Sequence, residues 1–260
     1  DITDLEEANE EVNADIDLED LEVKRDITYN GAMYTYCEGM QSPEDISGGF
    51  LLEMEFAERA VEEISYFCTK RGNYVVVKSP EYASKEEMIY ISSLYQEYED
   101  AVYNGGMNAY TGKLYSDYVD VNSIVDCYLV NEFMVNTDGF SSSTYLYKDA
   151  GEDILHMGPL WDFDLSLGRS WGKTSSDAKS PNRLYTANIT EFISVLSKIG
   201  SFRELVKNVY DEEVYPLVEE VLLGNSNEVS SDGTLHSLEY YDHLVSCSAK
   251  CDNIIWQTGE

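Results

Sequence analysis

Short apolar runs bounded by turn residues mark the start of the chain. Rich in β-branched and aromatic residues, these runs predict strands at 27–29, 48–55 and 73–78. From Ser84 onward the apolar positions recur at three and four residue steps, which is typical of one face of a helix. A second helix is predicted near Ser123, because Ser123 and Asp126 form a Ser-x-x-Asp capping pattern.

A hairpin is predicted after the second helix and a polar loop. Residues 144–147 and 154–157 have strand composition, and the polar stretch between them has turn composition. A hairpin with arms of about five residues, at roughly 3.3 Å each, returns to the end where it began. It therefore places Asp138, before the first arm, near Asp162, after the second.

Composition narrows the choice of partners. The 260 residues are 43% hydrophobic, which suffices for one large domain or two small lobes with a core. Asp and Glu total 50 against 17 Lys and Arg, giving a formal net charge of -33. This charge repels phosphate backbones and anionic lipids, so we predict no nucleic-acid partner. We also predict no membrane insertion, because no apolar run approaches the roughly 20 residues that cross a bilayer.

The candidate chemistry lies in the segment 158–168, which sets Asp162 and Asp164 two residues apart in an apolar run. Carboxylates among apolar neighbours usually have a cation or a catalytic partner that offsets their desolvation. Together with Asp138 they suit a divalent cation such as Mg²⁺, which takes oxygen ligands and keeps positions for phosphate and water. In a kinase-like arrangement, Asp138 would orient the attacking hydroxyl or take its proton, and the other two acids would hold metal on the phosphates.

Other functions also use acid pairs. A DxD motif occurs in metal-dependent phosphatases of the haloacid-dehalogenase type and in glycosyltransferases, but the strand–helix alternation that the phosphatase fold requires is missing here. A glycosidase with two acids is a further possibility, since 21 Tyr and 3 Trp could stack on sugars. A non-catalytic interaction module is an alternative of a different class.

Several short motifs follow one another along the chain, at 48–53, 77–81, 131–132, 136–138, 143–149 and 158–164. With these motifs the chain resembles the CotH (spore coat protein H) kinase-like family of bacteria. The resemblance extends over roughly residues 25–170, and its most specific block is 131–168.

The resemblance implies an α+β, atypical protein-kinase-like fold: mostly a helical C-terminal lobe with a catalytic hairpin, plus a few N-proximal strands. It implies transfer of the ATP γ-phosphate to Ser or Thr of a protein substrate, with ATP and Mg²⁺ or Mn²⁺ as cofactors. Asp138 would be the catalytic aspartate, and Asp162 and Asp164 would be metal ligands. The likeness also suggests a secreted or cell-surface bacterial protein, with partners in an extracellular assembly such as a spore coat or a cellulosome.

Three further residues have candidate roles under this resemblance. Ser143 stands five residues after Asp138, where protein kinases place a metal-binding asparagine, and a hydroxyl is a weaker ligand. Trp161 is a candidate for lining the nucleotide pocket, or else it packs in the core. Lys78 either approaches phosphate or is a solvated residue at the end of a strand.

Three regions are expected. Residues 1–25 form an acidic, partly helical lead-in that follows an N-terminal strand lobe missing from this chain, so that the chain alone would be inactive. Residues 26–170 form the kinase-like core with its catalytic loop and metal-binding segment. Residues 171–260 form a helical C-terminal subdomain that begins with a polar loop at 171–181.

Overall fold

A computed structural model describes residues 2–169 and 184–218, together with positions 243, 245, 246, 248, 250 and 251. The chain divides into two compact units, Asp1–Leu205 and Val206–Glu260. The second unit contains a π-helical turn at Tyr210–Val214. Among the described residues, none of the helices has the length and apolar character needed to span a membrane. The loop predicted at 171–181 lies outside the described residues.

The first unit combines one sheet with several helices. Its strands are β1 (Glu22–Tyr29), β2 (Ala32–Glu38), β3 (Phe50–Glu55), β4 (Tyr66–Cys68), β5 (Tyr74–Ser79), β6 (Thr144–Lys148) and β7 (His156–Met157). The helices are α1 (Asp4–Val12), α2 (Ala57–Ala60), α3 (Lys85–Tyr103), α4 (Val121–Met134), α5 (Thr186–Ile189), α6 (Glu191–Leu196) and α7 (Gly200–Val209), the last of which continues into the second unit.

The sheet is antiparallel throughout, in the order β1–β2–β4–β5–β3–β6–β7. The α+β class is confirmed. The predicted hairpin is also confirmed, since β6 pairs with β7 and Leu146 lies opposite Met157. The sequence pattern did not predict β2 and β4. β4 has only three residues, too few to show a period, and burial along β2 does not alternate strictly.

One face of the sheet is apolar and is covered by α3. Leu52 of β3 lies opposite Val77 of β5 and Leu146 of β6, so these three side chains share that face. All three are buried. The ring of Phe67 in β4 lies 5.4 Å from the ring of Tyr95 in α3, which shows how the helix covers the strands.

The opposite face changes from apolar to polar along the strands. At one part of it, Ala60 of α2 packs against Tyr66 and Val76 in a small buried cluster. Glu53 lies directly opposite both Val76 and Tyr145, so its carboxylate is on this same face. The polar part of this face leads toward the end of β3, where the loops that follow α4 and β7 also arrive.

The lead-in of residues 1–25 contains a helix, as predicted, and that helix packs on the sheet. Leu5 of α1 is fully buried, and its amide donates to Gly49 O at 3.2 Å. The side-chain amide of Asn13 donates to Gln41 O at 2.9 Å. These contacts tie the lead-in to the segment before β3. The expected strand lobe upstream concerns residues outside the sequence and stays a prediction, as do the region boundaries.

The start of α4 differs from the prediction. The helix begins at Val121, and its N-cap is Asp120, whose carboxylate accepts from Asn122 N at 3.0 Å. Ser123 lies inside the helix. Its hydroxyl donates to Asp120 O at 2.7 Å and accepts from Met157 N at 2.8 Å, so it joins α4 to β7. The Ser-x-x-Asp capping prediction was therefore wrong, because a better acceptor stands three residues earlier.

Helix α3 begins with a buried capping box, and this makes a stability prediction. Ser84 Oγ accepts from Glu87 N at 3.3 Å, and the Glu87 carboxylate accepts from Ser84 N at 2.7 Å. We expect Ser84→Ala to lower the free energy of unfolding by about 1 kcal/mol, measured by urea denaturation. Ser93→Ala, in the middle of the same helix, is the control and should change stability little. An equal loss in both variants would contradict the capping role.

Candidate active site

The loop that carries Asp138 is organised by two buried asparagines. Helix α4 ends at Met134, and the Asn136 side-chain amide donates to Asn131 Oδ1 at 2.9 Å and to Asp162 O at 3.4 Å. Asn136 Oδ1 accepts from Asp138 N at 3.3 Å. At Gly139 an added Cβ would lie 2.4 Å from Asn131 Oδ1, so only glycine fits. These contacts fix the backbone on both sides of Asp138.

The segment with Asp162 and Asp164 runs beside this loop. The amide and hydroxyl of Thr137 both donate to Leu165 O, at 3.2 and 3.1 Å, and Leu167 N donates to Met134 O at 2.7 Å. Ser143 Oγ donates to Asp162 Oδ2 at 3.3 Å. The structure therefore brings Asp138, Ser143 and Asp162 to one place through contacts between two segments that are distant in sequence.

Backbone strain accumulates around this place. Val135, Ser143 and Asp162 have φ values of 51°, 50° and 58°, in the left-handed region that residues other than glycine rarely adopt. Each such residue costs on the order of 1–3 kcal/mol and persists only where its surroundings enforce it. Strain of this kind is common at active sites, because it holds a side chain in a direction that relaxed backbone would not give.

Carboxylates repel one another around Asp138. Burial and then the charge of Asp162 raise the pKa of Asp138, and the charges of Asp164 and Glu55 act in the same direction. Arg59 acts in the opposite direction. The carboxylates thus repel one another at Asp138, and the charge of Arg59 offsets only part of this repulsion. Neighbouring carboxylates of this kind are stabilised when one of them is protonated or when a cation binds between them.

The carboxylates of the candidate site do not form a complete metal-coordination site. In the part of the chain that the structure describes, no three His, Cys, Asp or Glu side chains are placed to hold a metal ion. The donor chemistry nevertheless fits a divalent cation, because Asp162 and Asp164 offer hard carboxylate oxygens and Ser143 offers a neutral hydroxyl oxygen. The predicted meeting of three carboxylates around one ion stays a prediction.

Lys78 is ion-paired rather than simply solvated. Its Nζ lies 2.9 Å from Glu63 Oε1 and 3.7 Å from Glu53 Oε2. Burial disfavours its charged form, but the hydrogen bond and charge of Glu63, followed by Glu53, raise its pKa overall. Burial raises the pKa of Glu53, and the charge of Lys78 works against that rise. Lys78 is therefore a charged lysine on the polar part of the sheet face.

Trp161 and Glu132 have distinct surroundings. The Trp161 side chain is 61% exposed, so the indole lies at the surface beside the Asp162 segment and not in the core. Glu132, at the end of α4, accepts from the amides of Thr186 and Ala187 at 3.2 and 3.1 Å and also from Tyr185 N. Glu132 thus caps α5, whereas its neighbour Asn131 supports the Asp138 loop.

Sequence reasoning missed Glu55 and Arg59. Glu55 is the last residue of β3, and Arg59 follows it by four residues with 3.4 Å between Nη1 and Oε2. The pattern that predicted β3 extended to residue 55. An acidic residue at the end of a strand that leads to a candidate site is a signal that could have identified Glu55. The partner of Glu55, however, lies in a distant loop and has no local signal.

The antiparallel sheet covered by α3, with aspartates from two adjoining loops near the end of β3, forms an α+β domain that is consistent with a kinase-like fold. The model of the family described as CotH kinase protein matches residues 49–228, more than half of the chain. The chain therefore belongs to the CotH kinase family. No curated protein matches it.

Proposed function

We propose that this protein is a metal-dependent protein kinase that transfers the γ-phosphate of ATP to a Ser or Thr hydroxyl of a protein substrate. The observation that carries the proposal is the meeting of the two loops. There Ser143 contacts Asp162, and the charge of Asp162 raises the pKa of Asp138. Membership of the CotH kinase family supports a kinase-like activity.

Each candidate residue has a separate role in this proposal. Asp138 orients the acceptor hydroxyl and takes its proton as the oxygen attacks the γ-phosphorus. The bond from that phosphorus to the β,γ-bridging oxygen breaks, and ADP leaves. Asp162, Asp164 and Ser143 would hold Mg²⁺ or Mn²⁺, which when bound neutralises charge on the phosphate oxygens.

The remaining roles belong to substrate binding. Lys78 binds phosphate oxygens, with its ammonium group held in place by Glu63 and Glu53. The exposed indole of Trp161 offers an aromatic face to the adenine. A cavity of about 290 Å³ lined in part by Glu55, Phe140 and Ser141 adjoins the Asp138 loop and provides space on the acceptor side. We extend the proposal to a secreted or cell-surface location, which rests on the family likeness alone.

The direct test is transfer of radioactive label. The chain is incubated with MgCl₂, casein as a Ser/Thr acceptor, and ATP labelled at the γ- or the α-phosphorus. Label transferred to casein or to the chain from γ-labelled ATP, and none from α-labelled ATP, is the expected result. Label from the α-position would indicate nucleotidyl transfer. No transfer, together with no rise in Tm on addition of ATP and Mg²⁺, would favour a non-catalytic interaction module.

Lys78 gives a prediction for nucleotide binding. We expect Lys78→Met to raise the KM for ATP by about tenfold or more, because a charge-assisted contact to phosphate contributes roughly 1.5–3 kcal/mol. The measurement is the initial rate of transfer to casein over a range of ATP concentrations. Lys24→Met is a matched control, since Lys24 lies on the same sheet and also pairs with two glutamates, Glu22 and Glu38. A KM that changes equally in both variants would remove Lys78 from the phosphate site.

A further inference from the structure

Glu55 ends β3 with a side chain that is only 8% exposed. Its Oε1 accepts two short hydrogen bonds, from Ser142 Oγ at 2.6 Å and from Phe56 N at 2.6 Å. Its Oε2 faces Arg59 Nη1 at 3.4 Å. Both oxygens of the carboxylate therefore have polar partners. One of these partners, Ser142, is 87 residues away in the sequence.

Ser142 closes the turn that begins at the candidate catalytic aspartate. The amides of Ser141 and Ser142 donate to Asp138 O at 2.9 and 3.0 Å. Ser142 is buried, with 1% exposure, and its hydroxyl points to Glu55. The next residue, Ser143, contacts Asp162. Within the six consecutive positions 138–143, one turn therefore carries Asp138, the contact to Glu55 and the contact to Asp162.

Backbone pairing alone does not hold this turn to the sheet. The last pair between β3 and β6 joins Met54 and Thr144, and the turn lies beyond that pair. The Glu55–Ser142 hydrogen bond extends the connection by one residue beyond Met54 and by two residues before Thr144. A short hydrogen bond from a hydroxyl to a carboxylate is roughly twice as strong as one between neutral groups, so it suits this purpose.

We propose that Glu55 is a positioning residue for the phosphoryl transfer, which holds the 138–143 turn against the end of β3 through the hydroxyl of Ser142. This inference rests on the proposed function. Glu55 sets the position of Asp138 relative to the sheet face that carries Lys78, without itself contacting the reacting atoms. A displacement of about 1 Å at a catalytic group can lower a rate about a hundredfold, so such a contact matters to the rate.

The kinetic test is a double-mutant cycle with Glu55→Ala, Ser142→Ala and the variant that combines them. We expect each single change to lower kcat for transfer to casein by about tenfold or more, while the KM for ATP changes by less than about twofold. The combined variant should be no slower than either single one, because both changes remove the same contact. Glu55→Gln, which keeps an acceptor oxygen, should recover part of the rate. Independent, multiplying effects would overturn the proposal.

A second measurement does not depend on activity. Deuterium uptake by peptides that cover 138–144, in the full chain without nucleotide, should rise in Glu55→Ala and Ser142→Ala. It should not change in Glu58→Ala, because Glu58 is an exposed acid on α2 and serves as the control. Unchanged uptake in both Glu55→Ala and Ser142→Ala would overturn the link. If the wild type transfers no phosphate, the proposed function fails, whereas deuterium uptake still decides whether Glu55 holds the turn. Should Glu55→Ala fail to fold, Glu55→Gln and Ser142→Ala provide the same comparison.

Discussion

Replacing Asp162 with asparagine is expected to abolish phosphate transfer, with a loss of about a thousandfold or more. Asparagine keeps the size of the side chain and one oxygen, but it removes the negative charge that would attract a divalent cation. Charge stabilisation by such a cation contributes several kcal/mol to the transition state, and each 1.4 kcal/mol corresponds to about tenfold in rate. The measurement is the rate of label transfer from γ-labelled ATP to casein at saturating MgCl₂.

The same variant should lose its response to metal and nucleotide. We expect ATP with Mg²⁺ to raise the Tm of the wild type and to leave the Tm of Asp162→Asn unchanged, because binding to the folded state is what raises stability. Asp153→Asn is the control, since Asp153 is an exposed acid in the hairpin turn. A transfer rate in Asp162→Asn within tenfold of the wild-type rate would remove Asp162 from the metal site.

The Asp138→Asn variant is expected to lower the rate of transfer by about 10²–10⁴-fold, the range for loss of a general base. It should also raise stability. The pKa of Asp138 is raised by burial and by Asp162, so the folded state binds its proton more tightly than the unfolded chain does. Stability then falls as the pH rises from the ordinary pKa through the raised value, and the full cost is present above that raised value. Asparagine removes this cost.

The two effects of Asp138→Asn are measured separately. The transfer assay gives the rate, and a series of Tm measurements from pH 7.5 to pH 4.5 gives the stability. The gain in Tm over the wild type should be largest at pH 7.5 and should shrink toward low pH, where Asp138 in the wild type becomes protonated. Unchanged transfer would show that Asp138 is not the base. A variant that is less stable than the wild type at pH 7.5 would contradict the electrostatic repulsion described for the site.

The local sequence predicted the parts of the fold that depend on short-range patterns. The spacing after Ser84 predicted α3, and the turn composition at 148–153 predicted the hairpin of β6 and β7. The hairpin in turn predicted that Asp138 and Asp162 lie near each other, because an out-and-back excursion must return to its start. The resemblance added the family and the candidate roles of the site residues.

The parts that depend on long-range contacts could not be predicted. The position of β3 between β5 and β6 reflects packing of the whole sheet, and nothing near Glu55 indicates that its partner is Ser142. The pairing of Lys78 with Glu53 and Glu63 likewise needs three separate segments to meet. In each case the residues that interact are far apart in the sequence, and no local sequence pattern indicates the contact.

The position of β3 between β5 and β6 also determines how late in synthesis the sheet can be completed. β3 is made early, yet one of its two neighbours, β6, is encoded almost a hundred residues later. Until the ribosome has released residues 144–148, one edge of β3 has no partner, and exposed edges of this kind promote association between chains. The pairing of β3 with β6, and with it the placement of the Asp138 loop beside β3, therefore waits until residues 144–148 have been synthesised.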